Sequence, residues 1–202
     1  MEASLFGNEG IKSIACGSDE AGRGPLAGPV VAAAVILPEG FPLDILDDSK
    51  KLSERKRKEA ERIIKEKAIW AVASVSHKDI DRINILNASM LAMRKAYEKV
   101  RKIMQPDILL VDGNRKPDVD IPCSAIVKGD SKVPEIMAAS ILAKCERDRL
   151  MELAARKWPA YGYDRHKGYP TKAHVKAIEE NGPSPIERMS FHVGGEKERE
   201  LF

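Results

Sequence analysis

Apolar residues come first in short unbroken runs and later in a four-and-three rhythm, and this change of period separates predicted strands from predicted helices. Residues 13–18 are short and apolar, 30–37 form a continuous Val/Ala/Ile/Leu run, and 68–75 form another, so each predicts a strand. The Gly-rich and Pro-rich stretch between the first two predicts an antiparallel hairpin. Ser53 opens a helix that runs to Lys67, and Ser76, three residues before Asp79, has the pattern of a capping box that starts a short helix. From residue 85 to 104, Leu86, Met90, Met93, Tyr97, Val100 and Met104 alternate steps of four and three. They predict a long helix whose apolar stripe, flanked by Lys, Arg and Glu, packs on a core rather than forming a methionine-lined groove. Pro106 stops it, residues 107–112 read as a buried strand, Gly113-Asn114 turns the chain, and 121–127 read as the next strand. Pro134 suits a first helical turn, and 135–157 form a long helix with Met137, Ile141, Leu142 and Cys145 inward. A further helix over 171–180 ends at Gly182 and Pro183.

Three strands, helices, two strands and a long helix give an α/β or α+β mixed sheet, not a strictly alternating doubly wound one. Periodicity is lost from Trp158, so the expected organisation is one domain over residues 1–157 with a helical appendage over 158–202. The 202 residues, 43% of them apolar, suffice for a single globular core. The longest apolar stretch, 29–37, is too short to cross a bilayer, and the N-terminus lacks the pattern of a signal peptide. A cytoplasmic protein is expected. Cys16, Cys123 and Cys145 are isolated, which suits neither a zinc site nor a disulfide framework.

The net charge of +3 conceals an uneven distribution. Residues 1–49 carry 2 basic and 8 acidic side chains, whereas 50–67 and 144–176 each carry 9 basic and 4 acidic, and 177–202 carry 3 and 6. Basic segments around an acidic centre suit a metal-dependent enzyme acting on a polyanion, because lysine and arginine hold phosphates while carboxylates hold the metal. Segment 50–67 has an equally simple reading as a solvated helix face, since its glutamates recur at helical spacing.

Asp19 and Glu20 close the first strand, Asp112 closes a later one, and Asp130 stands in the loop before the long helix. Side chains at strand ends converge at the sheet edge, where such sheets place their ligands. Carboxylates gathered there repel one another unless a cation neutralises them, and an all-oxygen set favours Mg²⁺ or Mn²⁺ over zinc. By position alone Asp130 reads as a helix cap or as an acid favouring the helix dipole, and Asp112-Gly113 alone reads as a turn. Gly22-Arg23-Gly24 lacks the spacing of a phosphate-binding loop or dinucleotide fingerprint. It is either an ordinary turn or a place where the backbone presses on a ligand while the arginine anchors a phosphate.

The chain resembles bacterial type 2 ribonucleases H, the ribonuclease HII family. The resemblance is carried by Gly17-Ser18-Asp19-Glu20-Ala21-Gly22-Arg23-Gly24-Pro25 with Leu26-Ala27-Gly28-Pro29 behind it, by Asp48-Ser49-Lys50-Lys51-Leu52-Ser53, and by Val111-Asp112-Gly113. Lys128-Gly129-Asp130, Ala138-Ala139-Ser140-Ile141-Leu142-Ala143-Lys144, His166-Lys167-Gly168-Tyr169 and the stretch from Pro183 to Phe191 complete it. It implies an α/β fold: a ribonuclease H-like mixed five-stranded sheet flanked by helices, three antiparallel strands followed by strands parallel to the first, with a C-terminal helical extension over the substrate groove. It also implies an endonuclease that hydrolyses the RNA strand of RNA/DNA hybrids and cuts 5′ of single ribonucleotides in duplex DNA, leaving 5′-phosphate and 3′-hydroxyl ends. By resemblance, Asp19, Glu20, Asp112 and Asp130 are catalytic carboxylates that bind Mg²⁺ or Mn²⁺, two ions in the substrate complex. Gly22, Arg23 and Gly24 clamp the ribose 2′-hydroxyl through their backbone, Tyr169 packs on the following sugar, and Lys50 and Lys144 face phosphates. The protein is expected to be a monomer.

Other metal nucleases on the same sheet, type 3 or type 1 enzymes indifferent to single ribonucleotides, remain open at this point, as does a binding module without catalysis. His166 and His174 read as surface phosphate contacts or exposed side chains, His174 lying inside a polar helix.

Overall fold

The computed structural model describes residues 13–47, 49 and 52–191. Strands β1 (Ala15–Ala21), β2 (Val30–Ile36), β3 (Ile69–Val75), β4 (Ile108–Asp112) and β5 (Cys123–Ile126) form one sheet in the order β3-β2-β1-β4-β5. β2 is antiparallel to both β1 and β3, whereas β4 runs parallel to β1 and β5 parallel to β4. This is the mixed, helix-flanked ribonuclease H-like sheet that the resemblance implies. β1 continues to Ala21 because β2 keeps pairing with it, so Asp19 and Glu20 lie within the strand opposite Ala33 and Ala32.

β2 is an unbroken apolar run because helices cover both of its faces. Val30, Ala32, Ala34 and Ile36 join the core beneath α2 (His77–Val100), while Ala33 and Val35 join the core beneath α1 (Glu54–Lys67) and α3 (Pro134–Lys157). The cap signals hold: Ser53 accepts the N–H of Lys56, and Ser76 that of Asp79. Asn84, with φ 65° and ψ 164°, breaks α2 into the two helices expected, and its side chain accepts the N–H of Asn87.

The stripe differs from expectation. The helix ends at Val100, Met104 is exposed, and Leu86 and Met90 are half-buried. Burial centres instead on Ala88, Ala92, Met93, Ala96, Tyr97 and Val100, because alanines let the helix lie close on the sheet. In α3, likewise, Ile136, Ile141 and Leu142 are buried whereas Met137 and Cys145 are half-buried.

Beyond α3, a 3-10 turn at Pro159–Tyr161, α4 (Tyr163–His166) and α5 (Lys172–Asn181) build a satellite core. Tyr161, Tyr163 and Ala177 pack there against Met151, Ala154 and Ala155 of α3 and against Ala27. The chain then returns to the loop between β1 and β2, where Ala27 bridges to Glu187 and Arg188 donates its N–H to the Leu26 carbonyl at 2.7 Å. His174 is fully buried, contrary to the exposed position expected. Its Nδ1 lies 3.1 Å from the Tyr169 carbonyl and its Nε2 3.1 Å from Oε1 of Glu187, an acid nine residues beyond Ile178 that only the folded tail brings beneath α5. Among the described residues no helix is long and apolar enough to cross a membrane.

Candidate active site

The register that pairs Ser18 with Val111 sets Asp19 beside Asp112 at the edge where the parallel strands end. Gly17 admits the helix that covers them. A Cβ there would lie 2.2 Å from the Glu135 carbonyl carbon and 2.4 Å from the Ile136 nitrogen, so only glycine lets the start of α3 rest on β1. Two residues along a strand and four along a helix both advance about 6–7 Å, so Ser140 arrives over Asp19 as Ile136 lies over Gly17. The Ser140 hydroxyl favours the charged Asp19 carboxylate, against the upward push of burial, and its Oγ lies 2.8 Å from Oγ of Ser49.

Asp112 accepts the N–H of Gly129 through Oδ1, which anchors the 3-10 turn Gly129–Ser131 and places Asp130 at the same point. One carboxylate oxygen from each of Asp19, Asp112 and Asp130 lies within 4.8 Å of the others. Glu20 stands outside this trio, on the wall of the same cleft, with Oε1 3.4 Å from Nη1 of Arg23. Burial pushes the Asp19 carboxyl well above the ordinary aspartate range, and the charges of Glu20 and Asp112 push it further. Burial also raises Glu20, against the opposing pull of Arg23. Crowded, partly desolvated carboxylates with only oxygen donors fit a hard divalent cation.

The cleft, of about 360 Å³, is also lined by Gly22, Arg23, Gly24, Lys144 and Tyr169. Tyr169 is 43% exposed, and a Cβ on Gly24 would lie 3.6 Å from its ring. Lys144 pairs with Asp148 at 2.7 Å. Lys50 lies outside the described residues. Sequence reasoning gave no role to Ser140, Arg147 or Arg188. The first two had a legible signal, being polar members of the otherwise apolar inward stripe Ile136, Ser140, Ala143, Arg147, Met151 and Ala154. Arg188, in a tail without periodicity, had none.

The sequence profile described as Ribonuclease HII matches residues 16–193. The chain is 56% identical over 179 residues to the Ribonuclease HII of Dechloromonas aromatica, which covers 88% of this chain and 90% of that protein. It is 52% identical over 195 residues to the Ribonuclease HII of Treponema denticola, covering 88% and 98% respectively. Of solved structures, a chain of the PCNA:RNase HII complex from Archaeoglobus fulgidus superposes with a TM-score of 0.72 at 28% identity, covering 90% of this chain and 96% of that one. Identity above one half, sustained over nearly the whole length of both partners, leads to one conclusion: this chain is a member of the ribonuclease HII family.

Proposed function

We propose that this metal-dependent endoribonuclease cuts the RNA strand of RNA/DNA hybrids and, in duplex DNA, cuts on the 5′ side of a single embedded ribonucleotide, leaving 5′-phosphate and 3′-hydroxyl ends. The observation that supports this reading is that the Gly22, Arg23 and Gly24 backbone and the Tyr169 ring line the same cleft as Asp19, Asp112 and Asp130. A ribose reader and a sugar-packing ring then sit beside the carboxylates.

In this reading Asp19, Glu20, Asp112 and Asp130 hold the divalent cations, Mg²⁺ or Mn²⁺, two of them in the substrate complex. When bound, such ions lower the pKa of the attacking water and stabilise the charge on the leaving 3′-oxygen. Ser140 favours the charged form of the Asp19 carboxylate, and the Asp112–Gly129 bond holds the turn that carries Asp130. Main-chain groups at Gly22, Arg23 and Gly24 hydrogen-bond the 2′-hydroxyl. A fixed backbone cannot swing away from a deoxy sugar, so a missing hydroxyl leaves polar groups unpaired and is rejected. Tyr169 packs on the deoxyribose 3′ of the ribonucleotide, where no hydroxyl holds the ring off. Lys144 faces a phosphate, and the extension that begins at residue 158 contacts the substrate of a monomeric enzyme.

The test is a substrate panel with Mg²⁺ and with Mn²⁺: a DNA duplex with one ribonucleotide, a long RNA/DNA hybrid, and an all-DNA duplex. Cleavage of the first two and not the third is expected. Cleavage of the hybrid alone would place the enzyme with type 3 or type 1 activities and overturn the proposal.

A further inference from the structure

Two arginines are buried behind the Gly22-Arg23-Gly24 backbone, Arg188 at 2% and Arg147 at 1% exposure. Arg188 donates from Nε to the carbonyl of Gly28 at 2.9 Å, from Nη1 to that of Arg23 at 3.0 Å, and from Nη2 to that of Gly22 at 2.6 Å. Arg147 donates from Nε to the carbonyl of Pro29 at 3.2 Å, from Nη2 to that of Ala27 at 3.2 Å, and from Nη1 to that of Lys167 at 3.0 Å. All six bonds end on main-chain oxygens and none on a carboxylate. Arg147 also lies 5.9 Å from the centre of the Tyr169 ring.

Burying two cations whose hydrogen bonds go only to neutral groups is costly, and burial draws both guanidiniums below the ordinary arginine range. A planar fork with several donors at fixed angles is, however, the side chain best able to fix the directions of several carbonyls at once. Gly22 shows how close the fit is. Its φ is +101°, and a Cβ there would lie 2.1 Å from Nε of Arg147. The loop is thus moulded onto the guanidiniums.

We propose that Arg188 and Arg147 are positioning residues for ribose selection: together they fix the main-chain geometry of the loop from Gly22 to Pro29, and Arg147 joins that loop to the Tyr169 segment. The inference rests on the reading of this loop as the 2′-hydroxyl clamp. Neither arginine touches substrate; both act through the backbone that does. Selectivity is then exerted in part from the C-terminal tail, which delivers Arg188 to the loop between β1 and β2.

The experiment compares wild type, Arg188→Lys, Arg188→Ala and Arg147→Lys in single-turnover cleavage of a DNA duplex carrying one ribonucleotide and of the same duplex with a 2′-fluoro sugar at that position. Duplex affinity, melting temperature and the thermal shift on adding Mn²⁺ are measured on the same preparations. Folded variants are expected to cleave the ribonucleotide about 100-fold more slowly, in line with a displaced reacting group. Their duplex affinity is expected to stay within about threefold and their Mn²⁺ shift to match wild type, while the ribo-to-fluoro rate ratio collapses. Lysine is expected to fail as alanine does, because one ammonium cannot reproduce the fork. If Arg188→Ala does not fold, the two lysine variants decide. Wild-type rate and ratio in a folded lysine variant overturn the positioning role. A wild-type enzyme with no ribo-to-fluoro preference overturns the clamp reading itself, and this inference with it.

Discussion

Oδ1 of Asp112 accepts the N–H of Gly129 at 2.7 Å and lies 3.4 Å from the N–H of Asp130. The end of β4 is thereby tied to the turn that carries the next acid, and one carboxylate oxygen is committed to the backbone. Asp112→Asn keeps an oxygen for those N–H groups but loses the charge. The fold is expected to survive, and cleavage to fall by more than about 100-fold, the upper end of what loss of an outer-shell metal partner costs. Single-turnover rates at saturating Mg²⁺, with circular dichroism as the folding control, check this.

Asp19 gives a pH prediction with a definite sign. Burial first, then Glu20 and Asp112, hold its carboxyl above the ordinary range, so the folded state binds that proton more tightly than the unfolded chain. The metal-free protein is therefore relieved of this strain at low pH and loses stability as pH rises from the ordinary aspartate range through the raised folded value. Asp19→Asn is expected to remove that component and to raise the metal-free melting temperature near neutral pH. Melts of wild type and variant across that window, with and without Mg²⁺, test it. Mg²⁺ should stabilise wild type and leave the variant nearly unmoved.

Tyr169 is 43% exposed, so truncating it removes little core. Tyr169→Ala is expected to keep its melting temperature and to weaken duplex binding by no more than about 1–3 kcal/mol, by analogy with base–aromatic stacking. Its cleavage of a single embedded ribonucleotide should fall by orders of magnitude, because a misplaced scissile phosphate costs far more in rate. A lower melting temperature with an unchanged rate would show a structural anchor instead.

His174 is fully buried with both ring nitrogens facing acceptors, and Glu187 also accepts the Tyr163 hydroxyl at 2.6 Å. His174→Ala leaves Glu187 buried without that partner. A loss of about 1–3 kcal/mol is expected, or roughly 2–12 °C in melting temperature for a chain of this size. Calorimetry checks it.

The sheet was legible because β2 and β3 announce themselves as apolar runs and α1 and α2 by their caps. The acids were legible because Asp19 lies late in the first strand and Asp112 closes a later one, and the register of that parallel pair sets them side by side. What was hidden depends on contacts distant in sequence. His174 looked solvated because its partner Glu187 is 13 residues away in a segment without periodicity. The bonds of Arg188 to Gly22, Arg23 and Gly28 span at least 160 residues, and no local pattern predicts them. The helical stripe misled because alanines, not the larger methionines, make the closest approach to the sheet.

Mapping the cut in a DNA duplex with a single ribonucleotide tests most directly whether ribose recognition and hydrolysis share one cleft. The predicted result is one product pair, with the break immediately 5′ of the ribonucleotide, a 3′-hydroxyl on the upstream fragment and a 5′-phosphate on the ribonucleotide. A break on its 3′ side, a cyclic phosphate end, or no cleavage by an enzyme that cuts long hybrids would contradict it.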